Sequence, residues 1–76
     1  MDKKYRKELI NLLISIKNPV LLDGFIEDIL TPAEFEDIVT RWQIIKQLSK
    51  NVPQREIAKN LGVSIAKIKR GSRELL

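Results

Sequence analysis

A chain of 76 residues has room for one small domain. It contains no Cys and no His, which excludes disulfides, thiolate and imidazole metal sites, thiol catalysis and the commonest general base. With 43% hydrophobic and 32% charged residues it is too apolar for a disordered tail, and no apolar run approaches the ~18 residues of a membrane-spanning helix.

Apolar spacing is helical throughout, with no sustained alternation of the kind a strand requires. The first helix is expected from about Asp2 to Lys17, with Tyr5, Leu9, Leu12, Leu13 and Ile16 on one face and Ile10 and Ile14 widening it. Asn18-Pro19 ends it, because the residue before Pro disfavours the helical region. A second helix is expected from about Val20 to Ile29, its apolar face made by Leu21, Leu22, Phe25, Ile26 and Ile29, with Gly24 weakening it. Thr31-Pro32-Ala33-Glu34 is a strong helix start, with Thr31 as N-cap, Pro32 at N1 and Glu34 closing a capping box. The third helix then carries Phe35, Ile38, Val39, Trp42, Ile45 and Leu48, which read as core. Asn51 suits a left-handed residue after the helix, and Pro53 restarts one.

A chain this short buries a small core and commonly needs a staple. Disulfides are excluded, and the first helix has more apolar surface than one side of a single chain can cover. A homodimer is therefore expected. The residues Met1 to Lys7 lead into mixed helical sequence without a small-residue cleavage site, so no signal peptide is expected and the cytoplasm is the default compartment.

The formal net charge is +4, and its position says more than its size. Residues 1–30 and 31–50 are each balanced. Residues 51–76 carry Arg55, Lys59, Lys67, Lys69, Arg70 and Arg73 against Glu56 and Glu74, which accounts for the whole excess. A solvated helix face would explain charge alone. The same segment, however, reads as a helix–turn–helix. Ile57 and Leu61 anchor its first helix, Ala58 allows close crossing, Gly62 permits the turn, Val63 plugs it, Ser64 caps the second helix and Ile68 anchors that helix. A basic second helix on such a motif points to duplex DNA. Ile65, Ala66, Lys67 and Lys69 form the expected base-proximal set, with Ser64 at the helix start. Gln54, Arg55, Arg70 and Arg73 form the backbone-positioning set. The carboxylates Glu27, Asp28, Glu34, Glu36 and Asp37 come with no nucleophile or metal-ligand set, so no enzyme activity and no metal site are expected.

From about Ile29 to Leu75 the sequence resembles the tryptophan repressor family. The likeness rests on Leu30-Thr31-Pro32-Ala33-Glu34, Thr40-Arg41, Gln54-Arg55-Glu56-Ile57, Ser64-Ile65-Ala66 and Arg70-Gly71-Ser72. The resemblance implies an all-α, five-helix, intertwined homodimer: a DNA-binding transcriptional repressor of the helix–turn–helix class, with L-tryptophan as corepressor. It assigns residues 1–76 to a single helical domain, with dimerisation and core helices over 1–50 and a reading head over 53–75. It puts Arg41 and Arg70 on either side of the indole ring. The carbonyls of Asp28, Leu30 and Thr31 would face the ligand ammonium, with Gly71 and Glu74 also at the site. The chain departs from the family pattern at Lys67 and Lys69, where the family has threonine, and at Glu74, where it has serine. The loop before Pro53 is one residue shorter, and Leu76 falls before the family's last dimer helix. Two other readings stay open beside the gated repressor. One is a ligand-independent DNA-binding module, as in transposase or recombinase heads. The other is a helical dimerisation module whose basic face meets an acidic protein.

Overall fold

The described residues form five α-helices: α1 (Lys3–Ser15), α2 (Pro19–Ile29), α3 (Pro32–Ser49), α4 (Gln54–Leu61) and α5 (Ile65–Arg73). The structure is a computed structural model that describes residues Met1–Arg73, with side chains described as far as Arg70. The all-α class expected from the apolar spacing is the one adopted, and no strand occurs among the described residues. The chain divides into two compact units, Met1–Phe35 and Glu36–Leu76.

In the first unit, local capping sets the helix limits. The Asp2 carboxylate accepts the Lys4 N–H at 2.8 Å and starts α1. The helix ends at Ser15, two residues before the expected limit of Lys17, and Ile16 is already extended at φ −83°, ψ 111°. The reason lies downstream. Asn18 must be extended before Pro19, and its side-chain oxygen accepts the N–H groups of Val20 (2.8 Å) and Leu21 (3.3 Å). Asn18 is thus the N-cap of α2 and Pro19 its first residue, one position earlier than the expected start at Val20. Thr31 and Glu34 close the expected capping box at the start of α3. The Thr31 N–H donates to Glu34 Oε1 at 2.8 Å, and the Glu34 N–H donates to Thr31 Oγ1 at 3.2 Å. Those hydrogen bonds hold the Glu34 carboxyl below the usual carboxylate range, the backbone one foremost. No side chain of α1 or α2 is fully buried. Leu13 and Ile16 are half-buried, while Tyr5, Leu9, Leu12 and Ile14 on the same helix are exposed.

The second unit has a true core. Ile44 of α3, Ile57 of α4 and Ile68 of α5 are buried to within 1% of full coverage. Leu48, Val52, Ala58, Leu61 and Val63 pack around them. Two tight turns bring these helices together. At the end of α3, Asn51 takes the left-handed conformation at φ 61°. The Val52 N–H then reaches the Gln47 carbonyl and the Asn51 N–H the Leu48 carbonyl, a Schellman arrangement that turns Val52 into the core. At the end of α4, Gly62 is left-handed at φ 64°, and both it and Val63 donate their N–H groups to the Ala58 carbonyl.

One sequence expectation is corrected. Trp42, Ile38 and Val39 are not core in this chain: they are 58%, 52% and 49% exposed. The buried residue is Ile44, which the expected stripe left out. The helix has two apolar sides. Ile44 and Leu48 lie one turn apart on the side that meets α4 and α5. Ile38, Val39 and Trp42 cluster on the other.

Candidate nucleic-acid interface

The α4–turn–α5 segment is held to α3 by the three isoleucines, so its outward residues are fixed by helix geometry. On α5, Ile68 points into the core. Ala66 and Arg70, four residues apart, share the opposite face, and Lys67 and Lys69 flank Ile68 on either side. Ile65, Ala66, Lys69 and Arg70 are exposed, and Lys67 is half-buried. Ser64 does what its place in the sequence implies: its Oγ accepts the Lys67 N–H at 3.2 Å and starts α5. On α4, Arg55 is exposed and Gln54 half-buried in the first turn. The Asn60 side-chain N–H donates to Gln47 Oε1 at 3.2 Å and adds a polar tie between α4 and α3. Gly71 and Arg73 are described in backbone only, and Glu74 lies outside the described residues.

The polar centre of the unit is Asp37, which stands four residues before Arg41 on α3, a spacing that suits an exposed helical ion pair. That pair is present, with Arg41 Nε 3.0 Å from Oδ2. The other carboxylate oxygen, Oδ1, takes Lys67 Nζ at 2.9 Å. Asp37 lies two turns before Ile44 on the same side of α3, which aims it at α5. The Lys67 hydrogen bond is the main cause that holds the Asp37 carboxyl below its ordinary value; desolvation, the next largest influence, opposes it, and the charges of Arg41 and Lys67 add to the lowering. No local spacing links positions 37 and 67, so only the fold reveals the contact.

Of the expected ligand residues, Leu30 and Thr31 belong to the first unit, Arg41 and Arg70 to the second. The Thr31 carbonyl already accepts the Phe35 N–H at 3.0 Å, which leaves it one lone pair for a further donor. Arg41 is 69% exposed while paired with Asp37. Among the described residues no group of three or more acidic side chains is placed to hold a metal ion, and no helix is long and apolar enough to cross a membrane.

A family model described as Trp repressor protein matches residues 4–76, nearly the whole chain. The chain belongs to the Trp repressor family. A Trp operon repressor homolog from Xylella fastidiosa is 41% identical over 68 residues, covering 88% of this chain and 74% of that protein. One from Chlamydia caviae is 39% identical over 69 residues, covering 90% and 68%. One from Actinobacillus succinogenes is 52% identical over 52 residues; the match covers 67% of this chain and about half of that protein, 52%. The Trp repressor family is regulatory rather than enzymatic. In this chain α4 and α5 are two short helices joined by the tight turn at Gly62, the segment that the sequence reads as a helix–turn–helix.

Proposed function

We propose that this chain is a sequence-specific DNA-binding transcriptional repressor that works in the cytoplasm as a homodimer and lays α5 in the major groove. The observation that carries the reading is the reading head itself. A buried isoleucine triad fixes α4 and α5 on α3 and leaves Arg55, Lys69 and Arg70 exposed on the side away from it. Ile65, Ala66, Lys67 and Lys69 meet base edges, and Gln54, Arg55, Arg70 and Arg73 grip phosphates. The exposed apolar residues of α1 and the outer side of α3 support a second copy as their cover.

The test is selection of bound duplexes from a random pool, followed by titration of the selected and a scrambled duplex. A dimer requires two half-sites about 34 Å apart. Lys69→Ala changes sequence preference. Arg55→Ala and Arg73→Ala weaken selected and scrambled duplexes alike and flatten the salt slope by about one unit. Failure to enrich any sequence refutes the proposal.

For the effector we propose L-tryptophan, held between the guanidinium groups of Arg41 and Arg70, which can stack on an indole and grip a carboxylate. A second reading has its own support. Asp37 already ties α5 to α3 through Lys67 and engages Arg41, so the reading head has a polar anchor without a ligand and binds DNA constitutively. Calorimetry separates the two. Saturable heat with L-tryptophan that is lost in Arg41→Ala or Arg70→Ala supports gating. No heat at millimolar ligand, with DNA binding unchanged by tryptophan, supports the constitutive reading.

A further inference from the structure

Lys67 is the third residue of α5, within the first turn that helix–turn–helix proteins present to DNA. It is nevertheless engaged elsewhere: its ammonium lies 2.9 Å from Asp37 Oδ1, across from α5 on α3. The other Asp37 oxygen holds Arg41, so one carboxylate faces two cations of the basic unit. Both partners of the Lys67 pair remain more than a third exposed. An ion pair in that setting is weak and exchangeable; Lys67 faces base edges in a sequence-specific complex, but on DNA of arbitrary sequence a phosphate is a second anion for the same ammonium. Lys67 is held in place as well, because the Ser64 cap fixes its backbone N–H.

We propose that Asp37 acts as an internal competitor for phosphate, occupying Lys67 and so lowering the affinity of the reading head for DNA of arbitrary sequence. The inference rests on the DNA-binding reading above. Non-specific binding is supplied almost entirely by cations that neutralise phosphates. Masking one of a small set of cations therefore weakens it directly, whereas a complex with base contacts has other terms to offset the rupture of the pair. Asp37 is in this sense a positioning residue: it acts through Lys67 and touches no DNA itself.

The experiment uses the full chain and a mixed-sequence duplex, with fluorescence anisotropy across a salt series. Asp37→Asn keeps the shape and removes the charge, and circular dichroism confirms its helicity. Asp37→Asn binds more tightly than the parent at low salt, and its slope of log K against log salt is steeper by about 0.9. Its advantage consequently shrinks by about three- to fourfold between 50 and 200 mM salt. In a Lys67→Gln background the same substitution leaves the slope unchanged. A slope unchanged or shallower in Asp37→Asn overturns the proposal. A full effect that persists in Lys67→Gln overturns it too, because Arg41 or bulk charge would then be responsible. A measurement without DNA separates this inference from the reading it rests on. The Asp37 carboxyl, followed by NMR, titrates higher in Lys67→Gln than in the parent. An unchanged titration removes the competitor alone, while a parent chain that binds no duplex removes the DNA-binding reading and the competitor with it.

Discussion

Ile57→Ala is the sharpest test of how the reading head is held. Ile57 is fully buried between Ile44 and Ile68. Truncation removes the carbons beyond Cβ, worth roughly 2.4 kcal/mol at about 0.8 kcal/mol per buried carbon. A rigid cavity would add a further volume-dependent cost. Here the surrounding Leu48, Val52, Leu61 and Val63 are only partly buried and can close part of the gap, so the expected total is about 3 kcal/mol. A domain of this size is stable by about 4–11 kcal/mol, so the loss is a large share of it and lowers the melting temperature by about 12–24 °C. Urea unfolding followed by far-UV circular dichroism measures it, with both proteins at the same protomer concentration because association adds to apparent stability. Ile57→Val, which removes a single methyl group, costs about 1 kcal/mol. A loss below about 1 kcal/mol for Ile57→Ala, or equal losses for the two variants, would refute the isoleucine triad as the core of this unit.

Thr31→Ala, which breaks the box at the start of α3, costs about 1 kcal/mol of stability by urea titration. The Glu34 contribution is pH-dependent: its folded-state pKa lies below the ordinary 4.5, so the stabilisation is complete above that pH and is lost as pH falls through the folded value. Glu34→Gln removes this part of the acid limb in a pH series of melting temperatures. Gly62→Ala costs about 1–2 kcal/mol by urea titration; nothing lies within 4 Å of an added Cβ, so the penalty is the left-handed backbone at φ +64° alone. Leu13→Asp on α1 weakens self-association by sedimentation equilibrium and lowers helicity at the same dilution. A folded parent monomer at micromolar concentration would count against the proposed dimer.

What the sequence makes legible is what short-range chemistry decides. The capping box at Thr31–Glu34, the left-handed Asn51 and Gly62, the Ser64 cap and the anchors Ile57 and Ile68 all follow from residue type and spacing over a single turn of chain. The end of α1 is missed because Asn18 serves two elements, closing one helix and capping the next, and only the second role sets where the chain must straighten. Ile44 is missed because α3 has apolar residues on two sides. A stripe search takes Phe35, Ile38, Val39, Trp42, Ile45 and Leu48, of which Leu48 shares the inner side with Ile44 while Ile38, Val39 and Trp42 lie on the other, and the inner side is the one covered within the chain. Asp37–Lys67 is missed for the reason that tertiary ion pairs generally are: no helical period connects residues on different helices.

The two sides of α3 also bear on how such a chain stays folded. Its inner side seats α4 and α5 with three fully buried side chains among the described residues, a small core for a domain of 76 residues by ordinary surface-to-volume scaling. Its outer side, with Ile38, Val39 and Trp42, stays open to water in the single chain, as do Tyr5, Ile10 and Ile14 of α1. Leaving that much apolar surface exposed forgoes stabilisation of about 25 cal/mol for each Å² that a cover would remove from water. If a second copy supplies the cover, α3 becomes the element on which both demands meet, its inner side setting the reading head and its outer side facing the partner. The spacing of two reading heads on DNA would then be fixed by one helix rather than by a linker. Trp42, the sole tryptophan, stands on that outer side, so its fluorescence shifts to the blue on association and to the red on dilution. A spectrum independent of concentration across the dissociation range would place the interface elsewhere.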